Sequence, residues 1–226
     1  MTEKQITQPL EEMAAFFEAR VATYDDHMRG LDHAERFYSL IPAAFPETME
    51  RIQVLDLGCG TGLELEGIFQ KAPNALITGI DLAAGMLAEL KRKYQDRREQ
   101  LTLIHGSYLE WKFSSGRFDY AVAVQTMHHF LPKRKLGLYR KIRRALRNGG
   151  IYIEGDYVVS PEEAAEQVRK YYRLFGKAWS VRRPSVHFDI PCCVKQQLDL
   201  LTAAGFSQAE VVWREGNKAI FTAKAH

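Results

Sequence analysis

The sequence predicts an α/β fold: a doubly wound, Rossmann-like sheet of seven mostly parallel strands, ending in an antiparallel hairpin, within an α/β/α sandwich. Three observations predict it. An apolar run from Ile52 to Leu57 turns on Gly58, Gly60 and Gly62 into a helix-compatible run, Leu63 to Lys71. A second apolar run, Ala75 to Ile80, ends on the acid Asp81, so strand, glycine turn, helix and strand form a βαβ unit with both strand ends on one edge. The chain closes with Ala209 to Trp213 and Ala219 to Ala223, joined by Glu215-Gly216-Asn217, the pattern of a hairpin.

Size and composition are compatible with this. A chain of 226 residues suits one large domain, or one domain with a cap, and buries a sizeable core without staples. The division expected is an N-terminal helical lid over 1–50 and a ligand-binding domain over 51–226, with a helical substrate-cap insert at about 160–190. The formal charge of +3 singles out no partner. The basic cluster Lys133-Arg134-Lys135 with Arg140 to Arg147 reads as a solvated helix face, not a nucleic-acid patch, because no aromatics interleave it. Cys59, Cys192 and Cys193 have no metal spacing, and a reducing, cytoplasmic setting is expected. Met1 to Leu10 lacks the apolar core of a signal peptide, and no apolar run is long enough to span a membrane.

In chain order, Met13, Phe16, Phe17 and Val21 fall at helical spacing within Leu10 to Arg29, an amphipathic helix. It leads into Tyr24-Asp25-Asp26-His27-Met28, a polar and aromatic group that a core does not need. His33 to Leu40 is a second helix, stopped by Pro42 and Pro46. After the βαβ unit come a charged helix, Ala83 to Arg98, and a third strand, Leu101 to Ile104, closing on Gly106-Ser107-Tyr108. Phe118 to Val124 is apolar enough for burial on both faces, and Gln125 follows it, then Thr126-Met127-His128-His129-Phe130. Pro132 opens a basic helix to Leu146, with Arg147-Asn148-Gly149-Gly150 as its stop. Ile151 to Tyr157 is the fifth strand, with Asp156 and Tyr157 at its end and Glu154 expected to face elsewhere. Ser160-Pro161-Glu162-Glu163 starts a helical region reaching Trp179, which carries Tyr171, Tyr172 and Phe175; Arg182, Arg183 and His187 follow it. Val194 to Ala204 is the last helix.

The chemistry concentrates at the glycine turn. A strand that turns on glycines into a helix lets backbone approach a small ligand closely and offers free N–H groups. The spacing is G-x-G-x-G, with Leu63 where a dinucleotide fold wants its third glycine, and no Lys-Ser or Lys-Thr pair follows as a P-loop requires. Asp56, just before the glycines, suits an ammonium or sulfonium better than a pyrophosphate.

Val54 to Gly62 resembles the first motif of the class I S-adenosylmethionine (SAM)-dependent methyltransferases, hydrophobic-hydrophobic-acid-hydrophobic-G-x-G-x-G, and the likeness extends over about Ile52 to Lys224. The resemblance implies SAM as cofactor, S-adenosylhomocysteine (SAH) as its product, and a last strand inserted antiparallel. It places Asp56, Gly58, Cys59, Gly60 and Gly62 around the ligand and gives Asp81 the ribose diol, although Asp81 also reads as the cap of the next helix. Leu82 and Met86 would flank the adenine. Gly106, Ser107 and Tyr108 would line its pocket, with Ser107 standing where the family commonly has an acid. Gln125 would lie beside the methyl group, and the segment before the first motif would be a lid, making Tyr24, His27 and Met28 pocket candidates or, on the plainer reading, a surface junction.

His128 and His129 are candidate bases beside Tyr24 and His27, or else simply pack beneath the turn. His129, Asp156, Tyr157, Tyr172 and His187 are the substrate-side candidates. The expected activity is SAM-dependent methyl transfer to a nucleophile, with a small-molecule acceptor first, an RNA-modifying enzyme or a non-catalytic SAM-binding regulator as alternatives, and an NAD-dependent oxidoreductase disfavoured by the glycine spacing. No metal is expected, since the clustered carboxylates of a catechol-type cation site are missing from the sequence.

Overall fold

The computed structural model describes residues 11–176 and 186–226. Seven strands form one sheet: β1 (Gln53–Leu57), β2 (Leu76–Asp81), β3 (Leu101–His105), β4 (Phe118–Val124), β5 (Leu146–Tyr157), β6 (Ser207–Glu215) and β7 (Lys218–Lys224). Their order is β3-β2-β1-β4-β5-β7-β6. The first five are mutually parallel, and β7 runs antiparallel between β5 and β6. The chain winds outward from β1 to β3 and then returns to place β4 on the other side of β1. That reversal opens a crevice at the carboxyl ends of β1 and β4, where open α/β sheets bind ligands.

Alternation along the strands builds two cores. Leu55 and Leu57 of β1 point to one face with Leu138, Tyr139 and Ile142 of α6 (Pro132–Ala145) and Leu201 of α8 (Val194–Ala203). Val54 points to the other, with Phe37 of α3 (Ala34–Leu40), Ile68 of α4 (Leu65–Lys71) and Leu90 of α5 (Ala84–Lys93). Burial on both faces explains the near-continuous apolar runs of β1, β2 and β4.

Several expected boundaries move. The single N-terminal helix is broken into α1 (Met13–Glu18), a 3₁₀ turn at Val21–Thr23 and α2 (Tyr24–Arg29), so that its apolar side bends around the crevice. The helix expected to reach Arg98 stops at Lys93, where Tyr94 leaves helical geometry and its hydroxyl donates to Gly62 O at 2.8 Å; a 3₁₀ segment, Gln95–Gln100, follows. The helix stop expected at 147–150 lies inside β5 instead. Phe118 pairs with Leu146 and Tyr120 with Ile151, so these residues bulge out of the ladder, and Gly149 N–H donates to Ala225 O at 2.7 Å.

The insert helix α7 (Pro161–Phe175) starts with a capping box between Ser160 and Glu163, as its sequence indicates. It ends at Gly176; Trp179, Arg182 and Arg183 lie outside the described residues. A strap over 186–193 then crosses the crevice. It bridges Glu12 at Val186 and Val158 at Cys192, and Ile190 N–H donates to His128 O at 2.6 Å. Among the described residues, no helix is long and apolar enough to cross a membrane.

Candidate active site

The glycine turn is held from beneath by Asp81. Its carboxylate accepts from Gly60 N–H at 2.9 Å and from Ala83 N–H at 2.8 Å. Asp81 thus braces the glycines and the residue just ahead of α5; it is not the helix cap, since the N-cap is Ala83 and carries no side-chain cap bond, and each carboxylate oxygen keeps a lone pair for a diol. Burial raises the Asp81 pKa, and the N–H groups of Ala83 and Gly60 pull it back down. The three glycines divide the work. A Cβ at Gly58 would strike Thr126 at 2.5 Å, and one at Gly62 would meet Leu65, Leu90 and Tyr94 at 3.0–3.2 Å. Gly60 faces the crevice, with φ +48° and only the Tyr24 ring nearby, 3.7 Å from its would-be Cβ. It is the glycine whose backbone a ligand can approach; Gly62 is a packing position.

An acidic group backs the turn. Asp56 and Glu64 lie near one another in the interior, and burial raises both pKa values. Asp56 Oδ2 and Glu64 Oε1 remain without a partner. Tyr24 feels the charges of Glu64, Asp81 and Asp25, and burial raises its pKa. Asp25 bonds the Thr61 hydroxyl and pairs with Lys93 Nζ at 2.6 Å, fastening α2 to the glycine turn and to α5. Glu18 of α1 reaches Gly85 N–H at 3.0 and 3.1 Å through its two oxygens. The N-terminal segment is thus tied down at two points, on the glycine turn and on α5.

Two chambers lie under it. A small pocket of about 40 Å³ is lined by Gly58, Asp81, Leu82, Ser107, Tyr108 and Thr126 and roofed by Met13 and Phe17. That is room for about one water, so α1 sits closed over this pocket. The Ser107 hydroxyl accepts from Leu109 N–H at 3.2 Å, the Tyr108 hydroxyl bonds Thr126 at 2.7 Å, and Gly106 N–H donates to Asp81 O at 2.8 Å. The second chamber, about 510 Å³, is walled by Phe16, Phe17, Arg20, Tyr24, His27, Met28, Gln125, His128, His129, Tyr157, His187 and Asp189. Phe17 and His129 belong to both walls, so the chambers meet there.

At that junction His128 is anchored by Asp156, with Nδ1 to Oδ1 at 2.5 Å and its own N–H donating to Oδ2 at 2.8 Å. Burial opposes its charge, but the carboxylate outweighs this and raises its pKa. Burial and the neighbouring His128 depress the His129 pKa to about 4, which leaves its imidazole neutral at pH 7. Burial pushes the Tyr157 hydroxyl up to about 12, with Asp156 adding to it. Gln125 sits at φ +54° with its Oε1 buried and unpartnered, a strained acceptor at the chamber wall.

Five expected site residues need correction. Cys59 is buried, with its sulfur against Gly79, and faces the core; only its backbone belongs to the turn. Gly62 packs inward, as above. Met86 is buried in α5 and does not line the adenine pocket. Asp156 stands behind His128 rather than on the chamber wall, because β5 turns it inward. Tyr172 is exposed on α7, and the strap residues His187 and Asp189 take the place expected of the cap helix. Sequence reasoning assigned no site role to Phe17, Arg20, Asp25, Thr126 or Asp189. Phe17 had been counted as helix packing, and a lone aspartate before Ile190-Pro191 carries no signal of its own.

The residues present fit a nucleoside sulfonium. Gly60 offers close approach, Asp81 offers acceptors for a diol, and Gln125 Oε1 is an unpartnered acceptor at the wall of the larger chamber; Asp56 is buried behind the turn and lines neither chamber.

A methyltransferase-domain family matches residues 54–150. The carboxy-S-adenosyl-L-methionine synthase of Nautilia profundicola is 24% identical over 237 residues, spanning 99% of either chain. That of Campylobacter hominis is 27% identical over 191 residues, 77% of this chain and 78% of its own. DhpI in complex with SAH has a TM-score of 0.70 at 18% identity over 94% of both chains. Human N-acetylserotonin methyltransferase in complex with SAM has a TM-score of 0.65 at 15% identity, with 92% of this chain covering 56% of that one. At these identities the solved structures establish the fold.

Proposed function

We propose that this chain, a class I SAM-dependent methyltransferase, methylates a nucleophilic atom of a small molecule held in the 510 Å³ chamber. The observation that carries this reading is the meeting of the two chambers at Phe17 and His129. SAM, when bound, supplies a methyl on sulfur that leaves behind a neutral thioether. The protein's task is then alignment and exclusion of water. Gly60 and Asp81 fix the nucleoside, and Gln125 and Tyr24 border the passage between the two ends. Phe16, Phe17 and Tyr157 give the acceptor apolar walls, while His27, His129 and His187 give it polar contacts. A chamber roofed by α1, α2 and the strap suits a compact acceptor better than a polynucleotide.

A second reading has one observation in its favour. The similarity to carboxy-SAM synthases runs through the lid and strap as well as the methyltransferase core. Incubation with SAM and a small-metabolite extract, read by mass spectrometry, separates the two. Release of SAH with a methylated product supports methyl transfer. A sulfonium nucleoside heavier by one carboxyl group supports the second reading and contradicts the first.

A further inference from the structure

Three imidazoles converge on one carboxylate oxygen. Asp189 Oδ1 lies 3.2 Å from His129 Nδ1, 3.6 Å from His128 Nε2 and 4.0 Å from His187 Nε2. The facing nitrogens and oxygen of His128, His129 and Asp189 all fall within 4.8 Å of one another. In a tetrahedral site with bonds of about 2.0–2.1 Å, neighbouring ligand atoms stand roughly 3.3–3.4 Å apart. The two separations from Asp189 to His129 and His128, 3.2 and 3.6 Å, are already near that spacing.

A simple ion pair between Asp189 and His128 leaves too much unexplained. The His129 side chain is only 5% exposed, and neither of its ring nitrogens has a hydrogen-bond partner, because its contact with Asp189 lacks hydrogen-bond alignment. An orphaned buried N–H is a cost that a fold ordinarily avoids. A cation would employ the ring lone pair. His128, in turn, is gripped from behind by Asp156 through Nδ1, which leaves Nε2 aimed at Asp189. A carboxylate behind an imidazole is how proteins orient and strengthen a metal-binding histidine. Asp189 comes from the strap, whose Ile190 N–H is bonded to His128 O, so the three side chains are held in one place by backbone.

We infer that His128 Nε2, His129 Nδ1 and the Asp189 carboxylate form a binding site for a divalent first-row transition ion, with His187 within reach and the remaining positions open to the acceptor chamber. Two imidazoles and one carboxylate are a donor set for zinc, iron(II), cobalt or nickel rather than magnesium or calcium. The binding stands on the cluster alone; its role in catalysis rests on the methyl-transfer reading. In that role the site selects acceptors that present a hydroxyl. The bound hydroxyl gives its proton to solvent, its oxygen lone pair takes the methyl, and the carbon–sulfur bonding pair stays on sulfur.

The test uses tag-free, full-length protein stripped with EDTA. Zinc is titrated by calorimetry and cobalt by its visible absorption, and SAM binding is measured on the same samples. Expected are one ion per chain, at least a tenfold weaker ion affinity in H129A and in D189N, and a 10–100-fold weaker one in D156N, with SAM binding retained in D189N. Protein that binds SAM but takes up no stoichiometric zinc or cobalt overturns the inference. So does ion binding that is unchanged in both H129A and D189N, since the ion is then elsewhere. Ion binding with these variant effects in protein that fails to bind SAM upholds the site and removes the methyl-transfer reading instead.

Discussion

Asp81 and Gly60 are joined by a 2.9 Å hydrogen bond from the glycine N–H to the carboxylate. The acid at the end of β2 therefore sets the shape of the turn after β1 as well as facing the ligand. Asp81→Ala should weaken SAM binding by about 1–3 kcal/mol, the scale of lost hydrogen bonds to a charged group. It should also lower fold stability by about 1 kcal/mol or more, because the Gly60 and Ala83 N–H groups both lose their acceptor. Calorimetry and thermal melting read the two separately, and unchanged SAM affinity rejects the ribose role.

Gly60→Val is expected to leave the fold standing and abolish SAM binding. Its Cβ enters open space beside Tyr24 rather than the core, so the structural cost is the left-handed backbone, about 1–2 kcal/mol. Far-ultraviolet dichroism should be native. A variant that still binds SAM would place the ligand away from this turn.

Glu18 fastens α1 to the start of α5 through Gly85 N–H, and the small pocket under α1 is nearly closed. Glu18→Ala should let α1 open more often, raising both the association and the dissociation rate of SAM several-fold in stopped-flow traces. Rates equal to the wild type would mean that α1 is not the gate.

Glu154 lies buried with Tyr139, Tyr152 and Gln197 around it. Burial raises its pKa to about 7, with the Asp156 charge adding to the shift and Lys135 opposing it. A carboxyl whose folded pKa lies above its unfolded value penalises the fold as pH climbs from the ordinary carboxylate range through about 7. Glu154→Gln should therefore be the more stable form above pH 7, by about 1–3 kcal/mol, with the advantage shrinking toward pH 4.5. Melting temperatures of both forms across this range check the sign, and a difference that does not vary with pH contradicts it.

The sheet was legible because strands buried on both faces must be largely apolar, as Ala121 to Val124 are and as Val54 to Leu57 is apart from Asp56. Helix ends were less so. Nothing local distinguishes Tyr94 from a helix-interior residue; its hydroxyl ends the helix by reaching Gly62, which is 32 positions away. The site divides in the same way. Gly60 and Asp81 could be read from a motif and its spacing, and Tyr24 only from its place ahead of that motif. Asp189 and His128 meet only because the strap hydrogen-bonds to the turn after β4, a contact from Ile190 to His128 across 62 positions that leaves no periodic trace. Asp156 is expected at the chamber wall from its place at a strand end, yet the imidazole of His128 bonds one of its oxygens and the backbone N–H of His128 the other, which holds it inside.

The most direct measurement is a crystal structure with SAH. The account predicts the ribose hydroxyls on Asp81, the backbone of Gly60 against the ligand, and the thioether turned toward the chamber at Gln125 and His129. SAH seated instead in the larger groove between α3 and α4, lined by Tyr38, Pro42, Gly67 and Lys71, would contradict it.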